Sequence, residues 1–176
     1  MHTVACYRNS TKCKICGEII QKDRKKEHIN KFRDYAKLQE YISQDKEDQM
    51  SLFFDHGVDA NLFFPNDEQG WTPMHYAAKN GSLNVLLALI SRGAGVDPPD
   101  SGLKTPLFVA LEHRKTAVAR SLIELGADIE ARDTFQRTPL MYACKAGSKE
   151  TVELLLSYKA DIKAVNNLGD SCVNLA

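Results

Sequence analysis

The chain has 176 residues, with 23 basic residues balancing 23 acidic ones, and 43% of it is hydrophobic. That suits one soluble domain, or one domain plus a small appendage, and wholesale disorder is excluded. The longest strongly apolar run, Val85 to Ile90, is six residues, far short of the roughly 20 that cross a bilayer.

The first 30 residues carry no apolar signal core, and five cysteines, an odd number, do not make a secreted disulfide framework. A reduced, intracellular protein is expected. The neutral total hides a split: residues 1–44 carry a net charge of +5 and residues 45–176 a net of −5, which points to two functional segments.

In chain order, Cys6, Cys13 and Cys16 come first, with His28 twelve positions after Cys16. Cys13-Lys-Ile-Cys16-Gly is a compact thiolate knuckle of the kind that grips zinc. The pattern of residues 1–28 resembles a small zinc finger of the two-Cys, two-His class. It departs in having no Cys or His three to five residues after His28, where Lys31, Phe32 and Arg33 stand. Cys6, or else His2, would have to supply the fourth ligand. One structural zinc is the expected cofactor; the alternative is a free Cys6 thiol and a solvated His28. A redox role for the Cys-x-x-Cys pair lacks the βαβ pattern that accompanies it.

Residues 24–43 place Ile29, Phe32, Tyr35, Ala36, Leu38 and Ile42 at near-helical spacing. A shorter amphipathic piece follows at 47–56. Lys22, Arg24, Lys25, Lys26, Lys31, Arg33 and Lys37 form a basic stretch, interleaved with Asp23, Glu27 and Asp34. Nucleic-acid binding by this stretch is one reading, and a solvated capping helix is the other. Arg24-Lys25-Lys26 is too short to choose between cytoplasm and nucleus.

From residue 67 onward the sequence repeats itself. Thr72-Pro73, Thr105-Pro106 and Thr138-Pro139 are 33 residues apart, and the next step falls on Ser171-Cys172. GWTPMHYAAKNG aligns with LKTPLFVALEHR and QRTPLMYACKAG, and LISRGAGVD aligns with LIELGADIE and LLSYKADIK. Threonine can cap a helix whose first turn accepts proline. The small residues Ala77, Ala78, Ala110 and Ala143 let helices approach. Gly81 and Gly147 can end the first helix in the left-handed conformation, whereas Arg114 holds that place in the middle unit at higher cost. Gly93 and Gly126 close a second helix, with Lys159 as the exception.

These residues resemble ankyrin repeats: units at 67–99, 100–132 and 133–165, a partial unit at 166–176, and a degenerate capping unit at 24–66. The resemblance implies an all-α solenoid of stacked helix pairs with hairpin loops. The histidine the family places after its Thr-Pro survives only as His75; Phe108 and Met141 replace it, so two units should lose polar ties. From Gly57 to Thr72 is 15 residues against 12 from Gly93 to Thr105, so the first hairpin loop, carrying Leu62, Phe63 and Phe64, should be three longer. NNLGDSCVNLA begins a fourth unit and stops within its first helix, as a piece of a longer protein or a frayed half-repeat would.

The resemblance also implies a non-catalytic scaffold or adaptor that offers a concave surface to another protein. Its hairpins would be Glu68 to Trp71, Ser101 to Lys104 and Thr134 to Arg137. Its inner helix faces would carry Tyr76, Lys79 and Asn80, then Val109, Glu112 and His113, then Tyr142, Lys145 and Ala146. The expected contacts are Trp71, Tyr76, Lys104, His113, Phe135, Arg137 and Tyr142, because interface energy concentrates in Trp, Tyr and Arg. Inter-repeat packing is the competing account of Tyr76 and Tyr142. No phosphate loop, nucleophile elbow or metal-hydrolase motif occurs. A substrate-recruiting role in a longer enzyme stays as an alternative. No membrane contact is expected, and the oligomeric state is open.

Overall fold

The computed structural model describes residues 34–65 and 67–174. Within them lie eight helices in four antiparallel pairs: α1 (Tyr35–Ser43) with α2 (Glu47–Asp55), α3 (Pro73–Asn80) with α4 (Leu83–Ser91), α5 (Pro106–Glu112) with α6 (Thr116–Glu124), and α7 (Pro139–Lys145) with α8 (Lys149–Ser157). No strand is present among the described residues. The first helices α1, α3, α5 and α7 pack on one another in one layer and the second helices in another. This is the all-helical solenoid expected.

Each repeated first helix starts as its sequence dictates. Thr72, Thr105 and Thr138 sit extended at the N-cap and a proline opens the first turn. Ala77, Ala78, Ala110 and Ala143 are fully buried between the layers. Without side chains beyond Cβ they let helix axes approach at the short end of roughly 8–10 Å. The core continues through Leu86, Leu89, Leu107, Leu111, Leu122, Leu140 and Leu155. In the first pair, Asp34 caps α1 by accepting from the backbone N–H of Lys37 at 3.1 Å, and Leu38, Ile42, Met50 and Phe53 bury its inner side.

Left-handed residues mark every corner. Gly81, Arg114 and Gly147 follow the first helices, and Gly93, Gly126 and Lys159 the second. Arg114, at φ 54°, and Lys159, at φ 67°, take the same backbone state that glycine takes elsewhere. The chain trace is therefore conserved in these units at the cost of side-chain strain. The corresponding residues of the first pair are Asp45 and Gly57. They lie 36 residues before Gly81 and Gly93, so the first loop is three residues longer, as its sequence implies. Phe64 from this loop is buried and meets Tyr35 and Tyr76 edge-on at 6.3 and 5.1 Å. Phe63 points outward.

Candidate functional site

The hairpin tips build the most regular polar structure in the molecule. At each tip an Asp or Asn folds back on the turn that follows it, at positions 67, 100, 133 and 166. Asp100 Oδ1 accepts from the backbone N–H groups of Gly102 (2.7 Å) and Lys104 (2.9 Å), and Asp133 Oδ1 does the same for Phe135 (2.9 Å) and Arg137 (2.8 Å). Adjacent tips are joined by backbone bonds, Ser101 N–H to Gln69 O, Thr134 N–H to Gly102 O and Asn167 N–H to Phe135 O, at 2.9 to 3.1 Å. The free Oδ2 atoms then tie tips to side chains. Tyr76 donates to Asp67, Trp71 Nε1 donates to Asp100 at 3.1 Å, and Tyr142 donates to Asp133 at 2.9 Å.

Asp133 is the most heavily bonded of these carboxylates, since Arg137 also reaches its Oδ2 through Nε and a second guanidinium nitrogen, at 2.7 and 2.6 Å. Burial alone would raise its pKa; the bonds from Arg137 and Tyr142 outweigh that and hold it below the usual carboxylate value. Tyr76 and Tyr142 are pushed upward by burial and by the carboxylates they donate to, so both remain neutral donors.

These bonds decide what the expected contact residues can do. Trp71 differs from expectation: it is 8% exposed, its N–H is bound to Asp100, and its ring is flanked by His75 and Tyr76. It fastens one hairpin to the next. Tyr142 is 5% exposed and packs edge-on to Phe108 at 5.1 Å, and Val109 is fully buried. Packing against adjacent units places all three in the scaffold. Tyr76 is half-buried, as are Lys104 and Arg137.

The outward set is smaller. Phe135 is 60% exposed at its hairpin tip, and Lys79, Glu112, His113 and Lys145 are exposed along the first helices. Over the rings of Trp71, Tyr142 and Phe135 lies a layer of cations. Lys79 Nζ is 5.2 Å from the Trp71 ring, Lys104 Nζ 5.2 Å from the Tyr142 ring, and the Arg137 guanidinium 4.8 to 4.9 Å from Phe135 and Tyr142. Lys104 also meets Glu112 at 3.2 Å. Burial lowers the His113 pKa; Glu112 opposes this, and Lys79, Lys115 and Lys104 add to it. Lys79 belongs to this layer and Lys145 lines the same face beside Arg137 and Tyr142; neither was among the expected contacts, and their sequence signal is a lysine at the same place in two units.

His75 works inside the scaffold. Its Nε2 faces the Lys104 carbonyl at 3.1 Å and therefore donates, leaving Nδ1 to accept from the Thr72 hydroxyl (2.9 Å) and backbone N–H (3.2 Å). Phe108 and Met141 make no such bond, as their chemistry dictates. Thr105 Oγ1, above Phe108, is buried with no hydrogen-bond partner.

The model of the family described as "Ankyrin repeats (3 copies)" matches residues 2–100 and again 97–166. The chain belongs to the ankyrin-repeat family. Ankyrin repeats generally mediate protein–protein interaction and are generally non-catalytic. The comparison with curated proteins gives no match. The first matched span of this ankyrin chain takes in the Cys-x-x-Cys knuckle. Cys6, Cys13, Cys16, His28 and the alternative ligand His2 lie outside the described residues, as does most of the basic stretch. Among the described residues no group of three or more His, Cys, Asp or Glu is placed to hold a metal ion, and no helix is long and apolar enough to cross a membrane.

Proposed function

We propose that this chain is a non-catalytic adaptor that binds a partner protein in the angle between its hairpin tips and its first-helix layer. The observation that carries the reading is the division of labour on that face. Trp71, Tyr142, Asp100 and Asp133 are buried and bonded within the scaffold, while Phe135, His113, Lys79 and Lys145 project into solvent from it. A frame whose tip carboxylates are already bonded, with a few outward side chains, presents a surface at little ordering cost.

The direct test places a photo-cross-linking amino acid at His113 or Phe135 in the full chain, with Leu87 on α4 as the control, in a cell lysate. Leu87 is 49% exposed on the second-helix layer. A cross-linked partner common to His113 and Phe135 and lacking at Leu87 is the expected result. Adducts at Leu87 alone would overturn the reading. Trp71→Ala and Arg137→Ala are unsuitable probes, because the first removes a bond between hairpins and the second the ion pair within its own.

We also propose, on the ligand spacing alone, that Cys13 and Cys16 with Cys6 and His28 hold one structural zinc. About one zinc per chain in protein purified under reducing conditions, released by Cys13→Ser, is expected. Metal-free protein with unchanged order would remove the proposal.

A further inference from the structure

The cations of the inner face are not scattered. Lys79 and Lys145 occupy the same place in units two repeats apart, and Glu112 holds that place in between. Glu112, itself exposed, pairs with Lys104 at 3.2 Å, so among the described residues the row reads as a lysine without an ion pair, an exposed ion pair and a second lysine without one. Among the described residues neither Lys79 nor Lys145 makes an ion pair or a hydrogen bond to a carboxylate. The carboxylates beneath the row, Asp100 and Asp133, are buried, and both oxygens of each already accept hydrogen bonds. What a visitor meets first is positive charge over a layer of occupied acceptors.

Beside Lys145 lies an open cavity of about 550 Å³, lined among others by Phe135, Arg137, Met141, Tyr142 and Leu168. Its lining is mostly apolar in area; the cations Arg137 and Lys145 share it with the amides of Asn166, Asn167 and Asn174 and with Asp170, whose carboxylate meets the Asn166 amide at 3.4 Å. Phe135 and Leu168, both in this lining, are 60% and 85% exposed, so they offer apolar surface to an aliphatic or aromatic side chain.

We propose that the inner face takes an extended acidic segment of the partner: an apolar residue in the cavity, a neighbouring carboxylate on Lys145, and a second carboxylate on Lys79. The assignment rests on the adaptor reading above and specifies the chemistry of its partner. Spacing fixes the register. Two repeats at about 8–10 Å between packed helices separate the ammoniums by roughly 16–20 Å, which an extended chain spans in about five or six residues. Lys104, held by an exposed pair worth only about 0–1 kcal/mol, can leave Glu112 for an acidic residue midway.

A nucleic acid fits the same row less well. Residues 45–176 carry a net charge of −5, which repels any anion in proportion to its charge and so penalises a phosphate chain more than a segment with two carboxylates. Two rings on which nucleic-acid bases would stack, Trp71 and Tyr142, are buried beneath Lys79, Lys104 and Arg137, which leaves Phe135 as the exposed ring at the tips.

The test uses the full 176-residue chain and fluorescein-labelled 12-residue peptides in a Gly-Ser host. Each peptide carries one Leu-Glu pair and a second Glu at a spacing varied from three to eight positions. Anisotropy titrations at low and at physiological salt should show strongest binding at spacings of five or six. Replacing both carboxylates by Gln should weaken binding by about tenfold or more. Lys79→Gln with Lys145→Gln should cost a similar factor, with the helical circular dichroism unchanged. Lys149→Gln, on the second-helix layer and paired with Glu153, should cost nothing.

Binding that ignores the Gln replacement, or that Lys149→Gln weakens as much, would overturn the proposal. So would a labelled 12-nucleotide single strand that binds more tightly than every peptide and responds to the same two lysines. If no peptide binds while His113 and Phe135 still cross-link a protein, the adaptor reading stands and the acidic register falls. If both fail, the inner face is not the interaction surface.

Discussion

The units at 67–99 and 100–132 share a backbone but are bolted to their neighbours by opposite chemistry. In the first, His75 bridges its own cap, Thr72, and the Lys104 carbonyl of the next unit, while Trp71 reaches Asp100. In the second, Phe108 fills the histidine's place, wholly buried and edge-on to Tyr142 of the next unit. The comparison teaches that the stack demands volume and a left-handed corner at each period, and accepts either a hydrogen bond or an aromatic contact between units. The exchange leaves a trace, since Thr105 keeps a hydroxyl whose partner has gone.

The largest difference should appear when each bolt is cut to alanine. Phe108→Ala empties a site with 0% exposure, and buried Phe→Ala changes cost about 3–5 kcal/mol through lost transfer energy and the cavity left behind. His75→Ala removes a smaller ring and leaves the buried Thr72 N–H without its acceptor, for about 1–3 kcal/mol, while the Lys104 carbonyl keeps its bond from the Asp100 N–H. Urea unfolding followed by circular dichroism ranks the two. If His75→Ala proves the more damaging, the polar bolt dominates and the comparison is reversed.

A gentler substitution should separate the units by sign. Thr72→Val removes the hydroxyl that His75 Nδ1 accepts from and should destabilise by about 0.5–1.5 kcal/mol, the net value of a hydrogen bond. Thr105→Val replaces an unpartnered buried hydroxyl by a methyl group in an extended backbone that valine adopts readily. It should be neutral or stabilising by up to about 1 kcal/mol. Equal losses at both positions would mean that Thr105 has an acceptor after all.

The sequence already carries most of this contrast. The 33-residue period located the helix starts, the corners and the longer first loop, because Thr-Pro, paired alanines and left-handed glycines are local signals. The loss of the histidine in two units was equally visible. What was not legible was the direction of the aromatic side chains. Trp71 looks like a surface anchor beside Lys104 and Arg137 in the alignment, yet it is buried. Its N–H finds Asp100 only once the next hairpin is stacked, a contact 29 residues away in sequence. The roles of Asp100 and Asp133 were hidden for the same reason: their Oδ2 atoms bind Trp71, 29 residues away, and Tyr142, nine residues away on the following helix. Lys79 and Lys145 were legible in position but not in role, because an ammonium's importance depends on which carboxylates nearby are already occupied.

The smallest effect at neutral pH is also the most diagnostic of His75. Burial, the leading influence, holds its pKa below 6.5, against the Lys104 carbonyl and the charges of Asp100 and Asp67, which pull upward. Protonating Nδ1 would also set a new N–H against the Thr72 N–H that it now accepts. Because the folded value lies below the unfolded one, the unfolded chain binds more protons in the interval between them. Stability is therefore full above about 6.5 and declines as pH falls from 6.5 toward the folded value. Phe108 shows what the site looks like without a titrating group, so His75→Phe should flatten the decline between pH 7.5 and 5.5 while shifting stability at pH 7.5 by a pH-independent amount. His113, also lowered by burial, titrates with the same sign but is present in both proteins and cancels in the difference. Parallel urea midpoints across that range would show that His75 is not the group that makes this unit acid-sensitive.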